Sequence, residues 1–459
     1  MSKTPLFDEF SEMSSKAWKQ KIQVDLKGAD YNETLVWESP EGIKVKPFYH
    51  ADDIKNATLS SNSPNSWAVG QTIYAQNAIM ANEKAMIALH RGVEVLCFVI
   101  PNDEVNIEVL LKNIDVTITP IHFELQFLSK SYVQNIMAYI DDDAKNTIFL
   151  NIDILGNLAK SGNWYFNLKK DHEILTDILK ETSTNVLSVD ISLYENAGAN
   201  RVQQLAYAMA HVNEYLNHIN STKGLDKISG ITFKVSVGTN YFFEISKLRA
   251  LRILWKTLAA EYHLSFDCRI LAIPTKRNKT LYDYNVNMLR TTTESMAAVI
   301  GGADVVCNQA YDAIYHKDNE FGERIALNQL LLLKNESYFD KVNNASDGSY
   351  YIENVTFQLS QKALLLFKEI EKDGGFLSQL KKHTIQRKIK ENAQKQQEKF
   401  NSGNEVLVGT NAYLNENDKI KDNLELYPFV KQLPRKTLLE PIIEKRLAET
   451  LEKNRLQDE

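Results

Sequence analysis

The chain has 459 residues, 44% of them apolar, three cysteines and a formal net charge of −6. The apolar share excludes global disorder, and the length admits one large domain with extensions or two to three ordinary domains. The acidic balance gives no overall attraction to nucleic acid or anionic membrane, and no apolar run is long enough to span a bilayer.

MSKTPLFDEFSEMSSKAWKQK lacks the uninterrupted apolar stretch of a secretory signal. Cys97, Cys268 and Cys307 fall in predicted strands far apart, which suits buried free thiols in a reducing cytoplasm better than a thiol nucleophile. A cytoplasmic location is therefore expected.

In chain order, the pattern predicts a helix from about Ser14 to Lys27, ended by Gly28. LVWESPEGIKVKPFYHADD has Pro40, Gly42, Pro47 and no period, and predicts an extended arm. Trp18, Trp37, Phe48 and Tyr49 would anchor it, either on this chain's own domain or on a partner.

Eight β-branched apolar runs follow: QTIYAQ, EVLCFVI, TPIHFEL, NTIFLNIDI, NVLSVDIS, ISGITFKVSV, SFDCRILAI and GADVVCNQA. Between most of them lie stretches whose apolar residues recur every three or four positions. Strand–helix alternation predicts a parallel sheet, and eight units predict an α/β fold of the (β/α)₈ TIM-barrel type. An open doubly wound sheet is the runner-up. It lacks support because no glycine-rich turn follows the first run.

Helical segments trail the barrel. The basic run KKHTIQRKIKENAQKQQEKF reads as a solvated helix face in preference to a nucleic-acid patch. NEVLVGTNAY predicts a short strand, and EPIIEKRLAETLEKNRLQDE a terminal charged helix with Pro441 near its start. The resulting division is 1–50 for the N-terminal helix and arm, 51–400 for the barrel with trailing helices, and 401–459 for a C-terminal extension.

Metal and nucleophile motifs (HExxH, CxxC, P-loop, GxSxG) are missing. His211 and His218, seven apart on one predicted helix, read as surface residues. Asp52–Asp53 and the Asp141–Asp143 run read as solvated loop charges. The best active-site edge is LSVDISLYENAGANRVQQLAYAMA, a strand running into a loop and helix with Ser192, Tyr194, Glu195 and Asn196. Gln76, Asp153, Gly238, Asn240, Asn308 and Gln309 would share the barrel mouth. So many amides and so few titratable groups make a poor acid–base site.

Several segments carry a resemblance. KAWKQKIQVDLKGADYNETLVWESPEGIKVKPFY, FFEISKLRALRILW, NMLRTTTESMAAVIGGADVVCNQAYD, ERIALNQLLLL, DGSYYIE and EVLVGTNAY run from Lys16 to Tyr413. In that order they resemble the adenosylcobalamin-dependent acyl-CoA mutases, methylmalonyl-CoA mutase in particular. Against that pattern, SLYENAGAN keeps Ser192, Tyr194 and Ala197–Gly198–Ala199. Glu195–Asn196 stand where catalytic chains carry the histidine that contacts the migrating acyl carbonyl, and an ionised carboxylate only accepts hydrogen bonds. SWAVGQTIYAQNA keeps Trp67 and Gln71. Gly70 replaces an arginine, Thr72 replaces the tyrosine that promotes carbon–cobalt homolysis, and Tyr74 is displaced along the strand. The cobalt-ligating D-x-H-x-x-G motif is missing.

The resemblance therefore implies a non-catalytic small (β) subunit of a heterodimeric mutase. It would bind no cofactor itself, with adenosylcobalamin held by the partner large (α) subunit, and would have no nucleic-acid or membrane partner. Its catalytic set is empty, with Gln71, Tyr74, Ser192, Tyr194 and Asn308 as vestiges at the mouth. The arm would wrap the partner. Two alternatives stay open: a split catalytic barrel working with a separate cobalamin-binding protein, and a regulatory acyl-CoA-binding barrel. The family threads the pantetheine arm along the barrel axis past small side chains. Phe98, Phe123, Phe149, Phe233 and Phe266 would block that path if they point inward, and strand parity is left open by the sequence.

Overall fold

A computed structural model describes residues 9–54, 66–140, 142–182, 184–431 and 434–459. The first eight residues of the segment read for a secretory signal, and Asp141 of the acidic run, lie outside them.

Eight parallel strands close into a barrel in sequence order: β3 (Ala68–Tyr74), β4 (Val95–Ile100), β5 (Ile121–Leu125), β6 (Ile148–Ile152), β7 (Asn185–Asp190), β8 (Ile231–Val237), β9 (Arg269–Pro274) and β10 (Val305–Cys307). β1 (Trp37–Glu38) and β2 (Lys44–Val45) form a separate antiparallel pair in the arm. β10 pairs with β3 through Val305↔Ala68 and Cys307↔Gly70, so the sheet has no edge and the open-sheet reading is excluded. Each predicted run holds one strand. The first starts three residues earlier than expected, and Cys268 sits one residue ahead of β9.

Closure decides which side chains face the axis. Ile73, Phe98, Phe123, Leu150, Phe233, Ile270 and Val306 belong to the large core between strands and helices. The opposite parity, which includes Thr72, Cys97, His122, Asn151, Ser188, Thr232, Lys234 and Leu271, lines the lumen. Phe98, Phe123 and Phe233 therefore do not fill the axis. Phe149 does face inward, stacked at 4.3 Å on His122 and capped at 4.4 Å by the Arg269 guanidinium. Phe266 lies ahead of β9 against Trp255.

The helix Tyr241–Glu261 packs against the helices Arg201–Ser221 and Tyr350–Lys372, which also pack on each other. Its Arg249 reaches Glu353 at 2.6 Å and its Arg252 reaches Asp304 at 2.8 Å, so its buried charges are paired.

The N-terminal helix spans Ser15–Asp25 with Ser14 as N-cap. Gly28, at φ +101°, takes the left-handed turn after it. The arm packs on its own domain. Ile43 is fully buried, Trp37 meets Phe243 edge-on at 5.8 Å, and Tyr49 lies 5.3 Å from Tyr351. Trp18 stacks on Phe48 at 4.4 Å, and Trp18 and Trp37 remain 44% and 48% exposed.

Two C-terminal expectations need correction. NEVLVGTNAY forms only an isolated bridge between Val408 and Ala412, closed by Gly409 at φ +79°. The terminal helix covers only Glu449–Asp458, so Pro441 is not at its start. The backbone N–H groups of Ile442, Lys445 and Leu447 bond to the carbonyls of Ala159, Asn196 and Arg277. Those tertiary bonds take donors that an earlier helix would have used internally. The basic helix Thr384–Asn401 buries Ile385, Ile389 and Phe400 and presents most of its charge outward, as read.

Candidate functional site

The C-terminal ends of the strands open into a cavity of about 480 Å³ that runs down the axis. Across it, Lys234 Nζ of β8 donates to Glu124 Oε2 of β5 at 2.6 Å. These strands lie three places apart around the barrel, so the pair spans the lumen. Asp190 of β7 stands 3.8 Å from the same ammonium and accepts from the Ser192 hydroxyl and, at 3.0 Å, the Ser192 N–H. Burial pushes the Glu124 carboxyl up, but the Lys234 charge and hydrogen bond outweigh it and hold it below the ordinary range. Burial likewise opposes the Lys234 ammonium, and Glu124 with Asp190 raise it well above normal.

Below this pair sits His122, 99% buried by its 1% exposure, with an Asn151 amide at 3.1 Å from Nδ1 and no partner on Nε2. Burial first, and then the Arg269 charge, lower its pKa to about 3. The imidazole is therefore neutral at physiological pH. Cys97 and Cys307 touch at 3.5 Å between Sγ atoms; that hydrogen bond and burial push the Cys97 thiol far up. Burial pushes Cys268 up to about 12. All three cysteines are free and buried, as their strand positions suggested.

Of the residues expected at the mouth, Gln71, Tyr74, Ser192, Asn308 and Gln309 border a second lobe of about 390 Å³, which shares Glu124, Asp190 and Lys234 with the first. Asn308 is spent on the Ala326 carbonyl at 3.0 Å and Gln329 at 2.8 Å. Tyr194 is elsewhere: it is fully buried under the helices, its hydroxyl 2.9 Å from His211 Nδ1. Glu195 turns to the Gln204 amide and to Lys247 at 3.8 Å. Burial pushes its carboxyl up, with Lys247 opposing.

His211 corrects its reading as a surface residue. It has no exposure, and its Nε2 lies 2.8 Å from Asp153 Oδ1. Asp153 also accepts from the Tyr215 hydroxyl at 2.7 Å and the N–H groups of Gly156 and Asp190 at 2.7 and 2.9 Å. Burial pushes its pKa up; His211 and these donors more than reverse that, leaving it low. His218 is half-buried against Thr176 and His172. Among the described residues no three metal-ligating side chains converge.

Gly70 has no room for a side chain. A Cβ there would come within 2.5 Å of Cys307 Sγ and 2.8 Å of Val305 Cγ1. The arginine that the catalytic pattern places at this position does not fit.

His122, Glu124, Ser188, Asp190, Thr232 and Lys234 line the lumen although no motif marks them. A signal was available: IHFEL, SVD and ITFKV each place a polar residue at every second position, the parity of a lumen-facing row.

Closed parallel strands and a polar axis define a (β/α)₈ barrel with an accessible lumen. The chain belongs to the methylmalonyl-CoA mutase family, whose profile matches residues 105–453. It is 32% identical to the methylmalonyl-CoA mutase small subunit of Porphyromonas gingivalis, over 92% of this chain and 73% of that one. It is 25% identical to the small subunit of Streptomyces virginiae, over 88% of this chain and 71% of that one. Identity to the Rhizobium meliloti methylmalonyl-CoA mutase is 28% over 91% of this chain, which spans only 66% of that relative's length. No helix among the described residues is long and apolar enough to cross a membrane.

Proposed function

We propose that this chain is the non-catalytic small subunit of a heterodimeric methylmalonyl-CoA mutase. Its large partner would hold adenosylcobalamin and interconvert (R)-methylmalonyl-CoA and succinyl-CoA by radical rearrangement. The observation that carries the reading is the Lys234–Glu124 pair. It stands across the axis along which catalytic barrels of this family are understood to thread pantetheine. The closed space at Gly70 and the Glu195 carboxylate turned toward Lys247 support it. The subunit's contribution is mass-action stabilisation of the folded large chain, which needs no local chemistry. The purified chain, assayed with adenosylcobalamin and methylmalonyl-CoA, gives no turnover alone and supports turnover when joined to the large subunit. Turnover by the isolated chain overturns the reading.

A second reading keeps a regulatory acyl-CoA in the lumen. The polar cavity of about 480 Å³, free of Phe98, Phe123 and Phe233, favours it. Calorimetric titration of the chain with methylmalonyl-CoA separates the two: saturable one-site heat supports the pocket, and its absence removes it.

A further inference from the structure

A third cavity, of about 350 Å³, lies outside the lumen, between the strand-end loops, the arm and the basic helix Thr384–Asn401. We propose that it is a binding site for a phosphate-type oxyanion.

Two 21-residue helices begin at its wall, Arg201–Ser221 behind Asn200 and Tyr241–Glu261 behind Asn240. Each brings the positive end of its backbone dipole there, although the N–H groups of Arg201, Gln203 and Phe243 already donate to Glu41, Asn200 and Asn240.

The independent observation is Arg277. It lines the cavity and is only 7% exposed. Its Nε and Nη1 go to neutral acceptors, Gln396 Oε1 at 2.7 Å and the Lys445 carbonyl at 2.8 Å. Nη2 takes no hydrogen-bond partner, and no carboxylate lies in ion-pair range among the described residues. Burial lowers its pKa to about 10, against the opposing charges of Glu195 and Glu405, neither of which reaches it as an ion pair. A buried cation in this state is uncommon, because an unpaired buried charge is costly. Lys395 and Lys399 add two exposed ammonium groups on the same wall, with no ion pair among the described residues.

The acids nearby do not cancel this. Glu41 and Glu244 are held by Arg201 at 2.9 and 2.7 Å, and Lys247 sits 2.6 Å from Glu244 and 3.8 Å from Glu195. Glu405 is the one remaining carboxylate on the wall, against Arg277, Lys395 and Lys399. That half of the cavity is positive, with Arg277 Nη2 left to donate a charge-assisted hydrogen bond to an oxyanion. Trp37, 48% exposed, forms part of the rim and offers a face to a base or ring attached to the phosphate.

The test is calorimetric titration of the full chain with inorganic phosphate and, separately, with AMP, at constant ionic strength in chloride. One saturable site per chain is the expected result. Equal affinities assign free phosphate, and tighter AMP assigns a phosphoester read in part by Trp37. The Lys395→Ala/Lys399→Ala variant, altered only at exposed positions, should keep its melting temperature in chloride. It should bind about tenfold more weakly, a change of ~1.4 kcal/mol. Arg277→Gln should abolish the heat. Absence of saturable heat in the unaltered chain, or unchanged binding in the double-lysine variant, overturns the proposal.

Discussion

Lys234 Nζ and Glu124 Oε2 meet at 2.6 Å across the barrel axis, joining two strands that are not neighbours in the sheet. The pair is partly screened, with side chains 25% and 37% exposed to the lumen. Lys234→Met leaves Glu124 and Asp190 without the ammonium that stands between them, with only the charges of Lys160 and Lys276 acting on Glu124. Chemical denaturation should show a loss of about 1–3 kcal/mol, between the values for exposed and buried pairs. Adding Glu124→Gln to that variant should recover most of it. The lowered Glu124 pKa stabilises the fold above the unfolded carboxylate value near ~4.3, and this is lost as pH falls through the folded value. The raised Lys234 pKa contributes below ~10.4 and is lost as pH rises through its folded value. An unchanged stability in Lys234→Met would show that the pair does not bind the strands together.

His122 should remain neutral through the physiological range, since burial holds its pKa to about 3. Its ring resonances, assigned through a His122→Gln variant, should show no midpoint between about pH 5 and 8. Because the folded value lies below the unfolded one, its contribution is full above ~6.5 and declines as pH falls below that. A midpoint near 6.5 would mean that the ring is solvated.

Gly70 is the sharpest test of why the mouth lacks an arginine. Gly70→Ala drives a Cβ to within 2.8 Å of Val305 Cγ1 and closer still to Cys307 Sγ. Overpacking of this kind should cost about 1–3 kcal/mol. Gly70→Arg should yield little folded chain. The combination Gly70→Ala/Val305→Ala/Cys307→Ala should melt at a higher temperature than Gly70→Ala/Val305→Ala if crowding by sulfur is the cause.

Asp153 collects hydrogen bonds from His211, Tyr215, Gly156 and Asp190. Asp153→Ala orphans these buried donors together and should destabilise by about 3–5 kcal/mol in a urea titration. Tyr194→Phe removes one hydroxyl from the same network and should cost about 0.5–1.5 kcal/mol. If Asp153→Ala costs no more than Tyr194→Phe, the carboxylate is not the centre of that network.

The eight strands and the arm's proline-broken course were legible because local properties carry them. β-branched runs between amphipathic helices pair in sequence order, and a parallel sheet of eight such units closes. The family was legible too, through stretches such as FFEISKLRALRILW and DGSYYIE.

Three things depended on contacts distant in sequence. Tyr194 and His211 look like mouth and surface residues until the helices Arg201–Ser221 and Gly375–Lys381 bury them together with Phe376. Residues 439–448 have a helical composition, but their N–H groups find carbonyls of the barrel loops first.

The sequence by itself determined a (β/α)₈ barrel and its family, because hydrophobic period and strand–helix order are written along the chain. Only the tertiary structure decided that His122, Glu124, Asp190 and Lys234 share one lumen while Phe98, Phe123 and Phe233 face the helices. Strand parity has two solutions along an isolated run. Closure of the barrel selects one of them, by burying the phenylalanines against the helices and letting the charged side chains pair across the axis.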